Sequence, residues 1–126
     1  MKLNHDCIRN LMLYLEENLS YSNSITPDDI TLNNYNTIDL IYTVDKLYEA
    51  GFLNCKSVST IGTTTSNLKI VSLTYQGHQF LDNIRDDDVW NKSKKILSNF
   101  KSTSISFVAN IASQVISNII SNQLWL

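Results

Sequence analysis

The side chains that could support catalysis or bind a metal are few and widely spaced. The chain contains two histidines, His5 and His78, and two cysteines, Cys7 and Cys55. His5 and Cys7 lie two residues apart on a predicted helix, so their side chains diverge and cannot chelate one ion together. Nothing in the sequence supplies the nucleophile or second base that His78 would need for catalysis. We therefore predict no catalytic residue, no metal ligand, no cofactor and no enzymatic activity.

Three consecutive aspartates, Asp86 to Asp88, suggest a second kind of metal site. Consecutive residues point in different directions, however, and the alternating Asp/Asn spacing and distal Glu of a calcium loop do not follow. Aspartates favour the N-terminus of a helix, where they cap free N–H groups. The sequence therefore predicts a cap for a helix near Val89, with Arg85 as a charge partner in the same turn.

Lysines and asparagines are the candidates for nucleic-acid contact. The net charge is −2, but residues 1–51 carry three basic and eight acidic residues, a net of −5, and residues 52–101 carry seven basic and four acidic residues, a net of +3. Because phosphate contacts need a local excess of positive charge, the first candidates are Lys56 and Lys69, which flank an uncharged Thr/Ser stretch.

Asn34 and Asn36 precede a helix and could hydrogen-bond to base edges, although the acidic residues of that helix would repel the DNA backbone. We expect any DNA binding to be weak and to depend on the two lysines.

Apolar periodicity predicts the elements that position these residues. Helical spacing favours helices over 5–19 and 37–50, and Gly51 follows the second helix where a left-handed residue is wanted. Glu16 is expected on the solvated side of the first helix, and the buried stripe of the second is predicted to comprise Ile38, Leu40, Ile41, Val44 and Leu47. The polar segment 20–36 is too irregular for a full helix. Thr26 could instead cap a short turn there, or lead into a brief strand at residues 30–32.

The next segment predicts a β-hairpin followed by two helices. Residues 53–60 and 67–74 are rich in β-branched side chains and bracket a polar tip at 61–66. Helices are expected over 75–85, capped by the threonine before it, and over 88–99. The order helix, short element, helix, hairpin, helix predicts an α+β winged-helix fold whose wing is the two-stranded hairpin.

Two motifs strengthen this interpretation. The segment Glu49-Ala50-Gly51-Phe52-Leu53 resembles the end of the recognition helix in many winged-helix proteins. The segment 73–87, together with Val89-Trp90 and Lys92, resembles an uncharacterised domain-of-unknown-function family of small proteins from low-GC bacteria and their phages, related to the YjcQ-like winged-helix proteins. The resemblance covers roughly residues 5–120 and implies a fold and a phage or prophage setting, but no activity.

Within this motif we assign a structural role to four residues that are expected to hold the last helices against the wing: Gly77, Phe80, Arg85 and Trp90.

The C-terminal segment, residues 102–126, carries no charge and predicts a helix built for association. Its regularly spaced Asn, Gln and Ser make it too polar for confident insertion into a bilayer. With the winged-helix core already covered by the preceding helices, we expect the apolar stripe to bury against other copies, giving a dimer or tetramer. The stripe comprises Ile105, Val108, Ile111, Ala112, Val115, Ile116, Ile119 and Ile120.

The sequence therefore predicts a winged-helix domain over 1–101 and a self-association helix over 102–126. The leading functional hypothesis is a non-enzymatic, homo-oligomeric protein that binds macromolecules, another protein ahead of DNA. The alternatives are a DNA-binding transcriptional regulator that uses the wing and a protein associated with a membrane surface. The N-terminus lacks the apolar core of a signal peptide, so we expect a cytoplasmic location with reduced thiols.

Overall fold

Five α-helices and one two-stranded antiparallel sheet form the described part of the chain, which is residues 1–57 and 68–124 of a computed structural model. This confirms an α+β architecture. A short 3₁₀ turn, Pro27–Asp29, lies between the first two helices. The elements in chain order are α1 (His5–Asn18), α2 (Thr37–Glu49), β1 (Leu53–Ser57), β2 (Leu68–Leu73), α3 (Tyr75–Ile84), α4 (Asp87–Leu97) and α5 (Ile105–Leu124).

The chain divides into two compact units, Met1–His78 and Gln79–Leu126. In the first unit, α1 and α2 pack against each other and against the sheet. Leu15 of α1, Leu47 of α2 and Ile70 of β2 are all fully buried and belong to its apolar core.

Helix α2 begins at an asparagine cap and ends at a glycine. The Asn36 side chain accepts a hydrogen bond from the Asp39 N–H at 2.8 Å. Gly51 has a φ of 82°, a left-handed conformation that most residues other than glycine disfavour. The N–H of Phe52 donates a hydrogen bond to the carbonyl of Leu47 at 2.9 Å. The predicted end of this helix is therefore confirmed.

One residue predicted for the buried stripe of α2 lies on the opposite side. Leu40 and Leu47 are buried, but Ile38 is 69% exposed. A helix turns by about 100° per residue, so Ile38 lies about 200° away from Leu40 and faces solvent.

The segment between α1 and α2 forms no long helix, as predicted. The short turn is the alternative that forms, and Thr26 Oγ1 donates to the Asp29 carboxylate at 2.6 Å. The strand alternative at residues 30–32 is not observed. An antiparallel bridge forms earlier, at Ile25, which exchanges two backbone hydrogen bonds with Ile70 at 2.9 and 2.7 Å.

Strands β1 and β2 confirm the predicted hairpin and define its register. Leu53 pairs with Leu73 and Lys56 pairs with Lys69, with a bulge between Asn54 and Cys55. Residues 58–67, which include the predicted tip, lie outside the described residues.

In the second unit, α5 packs against α4. Three residues of the predicted association stripe, Val108, Ala112 and Val115, are buried within the chain. The chain therefore covers these three positions itself, whereas the sequence analysis expected the whole stripe to bury against other copies. No helix among residues 1–57 and 68–124 has the length and hydropathy that a membrane span requires.

Candidate protein-binding surface

The exposed side of α2 combines apolar, aromatic and acidic side chains. Ile38 is 69% exposed and Tyr48 is 43% exposed. We call this surface the α2 face and define it by Ile38, Asp39, Tyr42, Asp45, Lys46, Tyr48 and Glu49. The three acids exceed the single base, so the α2 face carries a net negative charge.

The only basic residue of α2 by sequence is already engaged with its neighbours. Lys46 Nζ lies 2.7 Å from a carboxylate oxygen of Glu49 and 5.4 Å from the centre of the Tyr42 ring. These contacts raise the pKa of Lys46, the hydrogen bond with Glu49 being the main cause.

The charge of Asp45 is compensated only in part by the neighbouring Lys46. Partial burial raises the pKa of Asp45, the nearby Glu49 carboxylate raises it further, and Lys46 only partly opposes the change. The α2 face therefore holds a carboxylate that would be stabilised by another cation.

A cleft of about 310 Å³ opens between α2 and the start of β2. It is lined by Tyr42, Asp45, Lys46, Tyr48, Glu49 and Leu68. The sequence did not reveal this cleft, because Leu68 lies about 20 residues away along the chain and reaches α2 only through the hairpin.

The two predicted DNA-contact groups have different environments. Lys56 and Lys69 lie directly opposite each other on the hairpin, so the structure brings them together. Asn36 is occupied as the cap of α2, and Asn34 is exposed in the preceding turn. The capping signal was readable in the sequence, since Asn stands immediately before the apolar-periodic run.

The four residues of the structural motif divide into three buried residues and one exposed residue. Gly77, Phe80 and Trp90 are buried, and Arg85 is exposed and bonds to Asp82 at 2.9 Å. A Cβ atom added to Gly77 would overlap the carbonyl oxygen of Phe52, so this glycine permits a close approach of the first turn of α3 to the residue that precedes β1. Asp86 caps α4 by accepting from the Val89 N–H at 3.0 Å, as predicted.

His78 lies at a second cleft of the first unit. Its Nδ1 atom is 3.9 Å from a carboxylate oxygen of Glu16. The cleft has a volume of about 510 Å³ and is lined largely by apolar side chains of α1 and β2, such as Leu15 and Val71. The sequence placed Glu16 on the solvated side of α1 and did not pair it with His78.

Both thiols are kept protonated by their surroundings. Burial raises the pKa of Cys7, whose Sγ atom lies 3.7 Å from Thr43 Oγ1. Burial and the charge of Asp45 raise the pKa of Cys55 to about 11. Neither cysteine is therefore activated as a nucleophile at neutral pH.

Comparison with known proteins identifies relatives without a described activity. The family described as "Hypothetical protein (DUF2513)" matches residues 2–104. A protein of Haemophilus influenzae described as "Uncharacterized protein" is 34% identical over 124 residues, which cover 98% of this chain and 99% of the relative. No solved structure matches the chain.

Proposed function

We propose that this chain, which belongs to the DUF2513 family, is a non-enzymatic winged-helix protein that binds another protein through the α2 face. The order of α1, the short turn, α2 and the hairpin supports the winged-helix assignment. The bridge between Ile25 and Ile70 supports it further, because it adds a third, one-residue strand to the hairpin between α1 and the turn.

The observation that carries the proposal is the composition of the α2 face. A recognition helix that enters the DNA major groove normally presents positive charge to phosphates and hydrogen-bonding side chains to base edges. Here the corresponding helix presents Asp39, Asp45 and Glu49, and its one lysine is paired within the helix. Exposed Ile38 and Tyr48 are side chains that favour the centre of a protein interface.

The proposal is tested by capture with a variant of the α2 face. Wild-type protein is used to isolate partners from extract of the native host with and without nuclease treatment, and the recovered partner is purified and titrated against the chain. We expect Ile38→Asp to weaken this binding by about tenfold or more, because a charge replaces an apolar contact at the interface. Tyr21→Asp, which changes another exposed side chain of the same unit, is the matched control and should bind like wild type. A partner that is lost on nuclease treatment, or that binds Ile38→Asp normally, would contradict the proposal.

The hairpin supports a second candidate, a DNA-binding transcriptional regulator that uses the wing. Lys56 and Lys69 are directly opposite each other, and like charges in this position destabilise a strand pair. A phosphate between the two ammonium groups would offset that repulsion. Two lysines can make only a few phosphate contacts, so DNA binding ranks behind protein binding.

We also propose a cellular setting and an oligomeric state for this chain. The resemblance of the 73–92 motif supports a phage or prophage setting and a relation to the YjcQ-like proteins. We propose a cytoplasmic, homo-oligomeric protein in which α5 contributes the contacts between copies, and we place association with a membrane surface behind it.

A further inference from the structure

The cleft beside α2 has the chemical composition of a site for an organic cation. Two tyrosine rings, Tyr42 and Tyr48, and two carboxylates, Asp45 and Glu49, line a space of about 310 Å³. Aromatic faces attract cations through their negative centres, and carboxylates pair with them directly. Leu68 adds an apolar contact for the methylene stem that carries such a charge.

Lys46 already makes both kinds of contact at the edge of this cleft. Its ammonium group is paired with Glu49 and lies over the Tyr42 ring, within the range of a cation–π contact. Asp45 is left as the undercompensated carboxylate of the site, since Lys46 only partly opposes the effect of burial and of Glu49 on it. An incoming cation therefore has a carboxylate to pair with while Lys46 keeps its own partner.

We propose that the cleft beside α2 binds an arginine side chain from a basic segment of the protein partner, with Asp45 as its carboxylate partner. Arginine fits this lining better than lysine, because a planar guanidinium stacks on tyrosine and donates two parallel hydrogen bonds to one carboxylate. The inference rests on the proposed function, since it names the chemistry of the partner that the α2 face binds.

The probe is a blocked nine-residue peptide of Gly, Ser and Leu that carries two arginines. Titration into isotopically labelled full-length protein, followed by amide chemical shifts, is expected to shift signals of residues 42–49 and of Leu68. The same peptide with citrulline in place of arginine keeps the shape and loses the charge, and we expect it to bind at least tenfold more weakly.

Two charge-matched variants locate the binding site. Asp45→Asn is nearly isosteric and is expected to weaken the arginine peptide by about tenfold, since it removes the carboxylate partner. Asp28→Asn removes the same charge from an exposed position on the 3₁₀ turn and is expected to have no effect. Equal binding of the citrulline peptide would show that the cleft does not recognise the charge, and an equal loss in both variants would indicate general electrostatic attraction. Either result would overturn the inference.

The test of the arginine site and the test of the proposed function can fail independently. If the purified partner depends on Ile38 but neither the partner nor the peptide depends on Asp45, the arginine site is wrong and protein binding by the α2 face stands. If Ile38→Asp binds the partner normally, the proposed function fails first.

Discussion

Cys55 is a reporter of the electrostatics around α2. Its pKa of about 11 has two causes, burial first and the negative charge of Asp45 second. Both disfavour the thiolate, so alkylation by iodoacetamide at pH 9 is expected to be slow and to accelerate steeply as the pH approaches 11. Asp45→Asn removes the second cause and lowers the pKa, and we expect alkylation of Cys55 at pH 9 to become about twofold faster.

Mass spectrometry of the two cysteine-containing peptides measures this prediction and contains its own control. The pKa of Cys7 is raised by burial and by Asp39, opposed by the hydrogen bond to Thr43, and Asp45 is not among its causes. The rate at Cys7 should therefore be the same in both proteins. A rate at Cys55 that is unchanged in the variant would show that Asp45 does not act on this thiol.

A side chain at position 77 would overlap a neighbouring backbone carbonyl, so the effect of replacing Gly77 depends on packing as well as on helix propensity. Alanine is a better helix former than glycine, so Gly77→Ala would stabilise an isolated α3 by about 1 kcal/mol. In the folded chain the added Cβ would overlap the Phe52 carbonyl, which is held by the Thr74 N–H at 3.0 Å. We expect overpacking to win and the variant to lose roughly 1–3 kcal/mol of stability in urea denaturation. Gln76→Ala, at the exposed neighbouring position, should be neutral, and a stabilised Gly77→Ala would contradict the close approach of Gly77 to Phe52.

At the scale of elements, local patterns predicted the helices and strands well. The bounds of α1 and α2 lie within one residue of the predicted ranges, because apolar periodicity and the glycine at position 51 act locally. The exposed position of Ile38 was also a local matter, and a strict helical projection would have placed it correctly.

The candidate site was harder to predict, because it depends on contacts between distant segments. The bridge from Ile25 to Ile70 and the contact of Glu16 with His78 join residues more than 40 positions apart. Leu68 likewise reaches the α2 cleft through the hairpin. Charge and apolar content gave the acidic character of α2, but not the cleft that makes it a candidate site.

The hairpin carries its own prediction about DNA. We expect weak binding to random duplexes at low salt, lost in the Lys56→Ala, Lys69→Ala double variant, because the opposed ammonium groups share the phosphate contacts. Fluorescence anisotropy over a salt series measures it, and the slope of affinity against salt should correspond to about two phosphate contacts. Asn36→Ala should leave DNA binding unchanged while costing about 1 kcal/mol of stability through the lost cap. Nanomolar binding that depends on Asn34 and Asn36 but not on the lysines would reverse this assignment.

At the scale of the whole molecule, α5 is covered only in part by its own chain. The centre of its apolar stripe is buried within the chain, at Val108, Ala112 and Val115. The rest of the predicted stripe is half-buried at Ile105, Ile111, Ile116 and Ile119 and half-exposed at Ile120. Leu124 is 74% exposed. Self-association is therefore expected to bury the edges of the stripe rather than its centre.

The area left at these edges is consistent with a reversible oligomer. If each copy buried about 300 Å² of apolar surface, a pair would gain about 15 kcal/mol at 25 cal/mol per Å². Association costs about 4–15 kcal/mol in lost freedom, so the surplus lies between about 0 and 11 kcal/mol, a range that includes the roughly 8 kcal/mol of a micromolar contact. We expect the full-length chain to be a dimer or tetramer at tens of micromolar and to dissociate on dilution.

A single charge at the edge of the stripe tests this expectation better than removal of α5, since truncation at Lys101 would also uncover the side of α4 on which α5 packs. Ile120→Asp is expected to shift the protein to monomer in light scattering at 50 μM, because a charge buried between copies without a partner costs several kcal/mol. Asn118→Asp adds the same charge at an exposed polar position of the same helix and should leave the oligomer intact. A wild-type chain that is monomeric at this concentration would show that α5 serves only the fold of its own chain. Sedimentation of the wild type with liposomes, lost in Ile120→Asp, would instead favour the membrane-surface alternative, in which the same apolar edge lies against lipid.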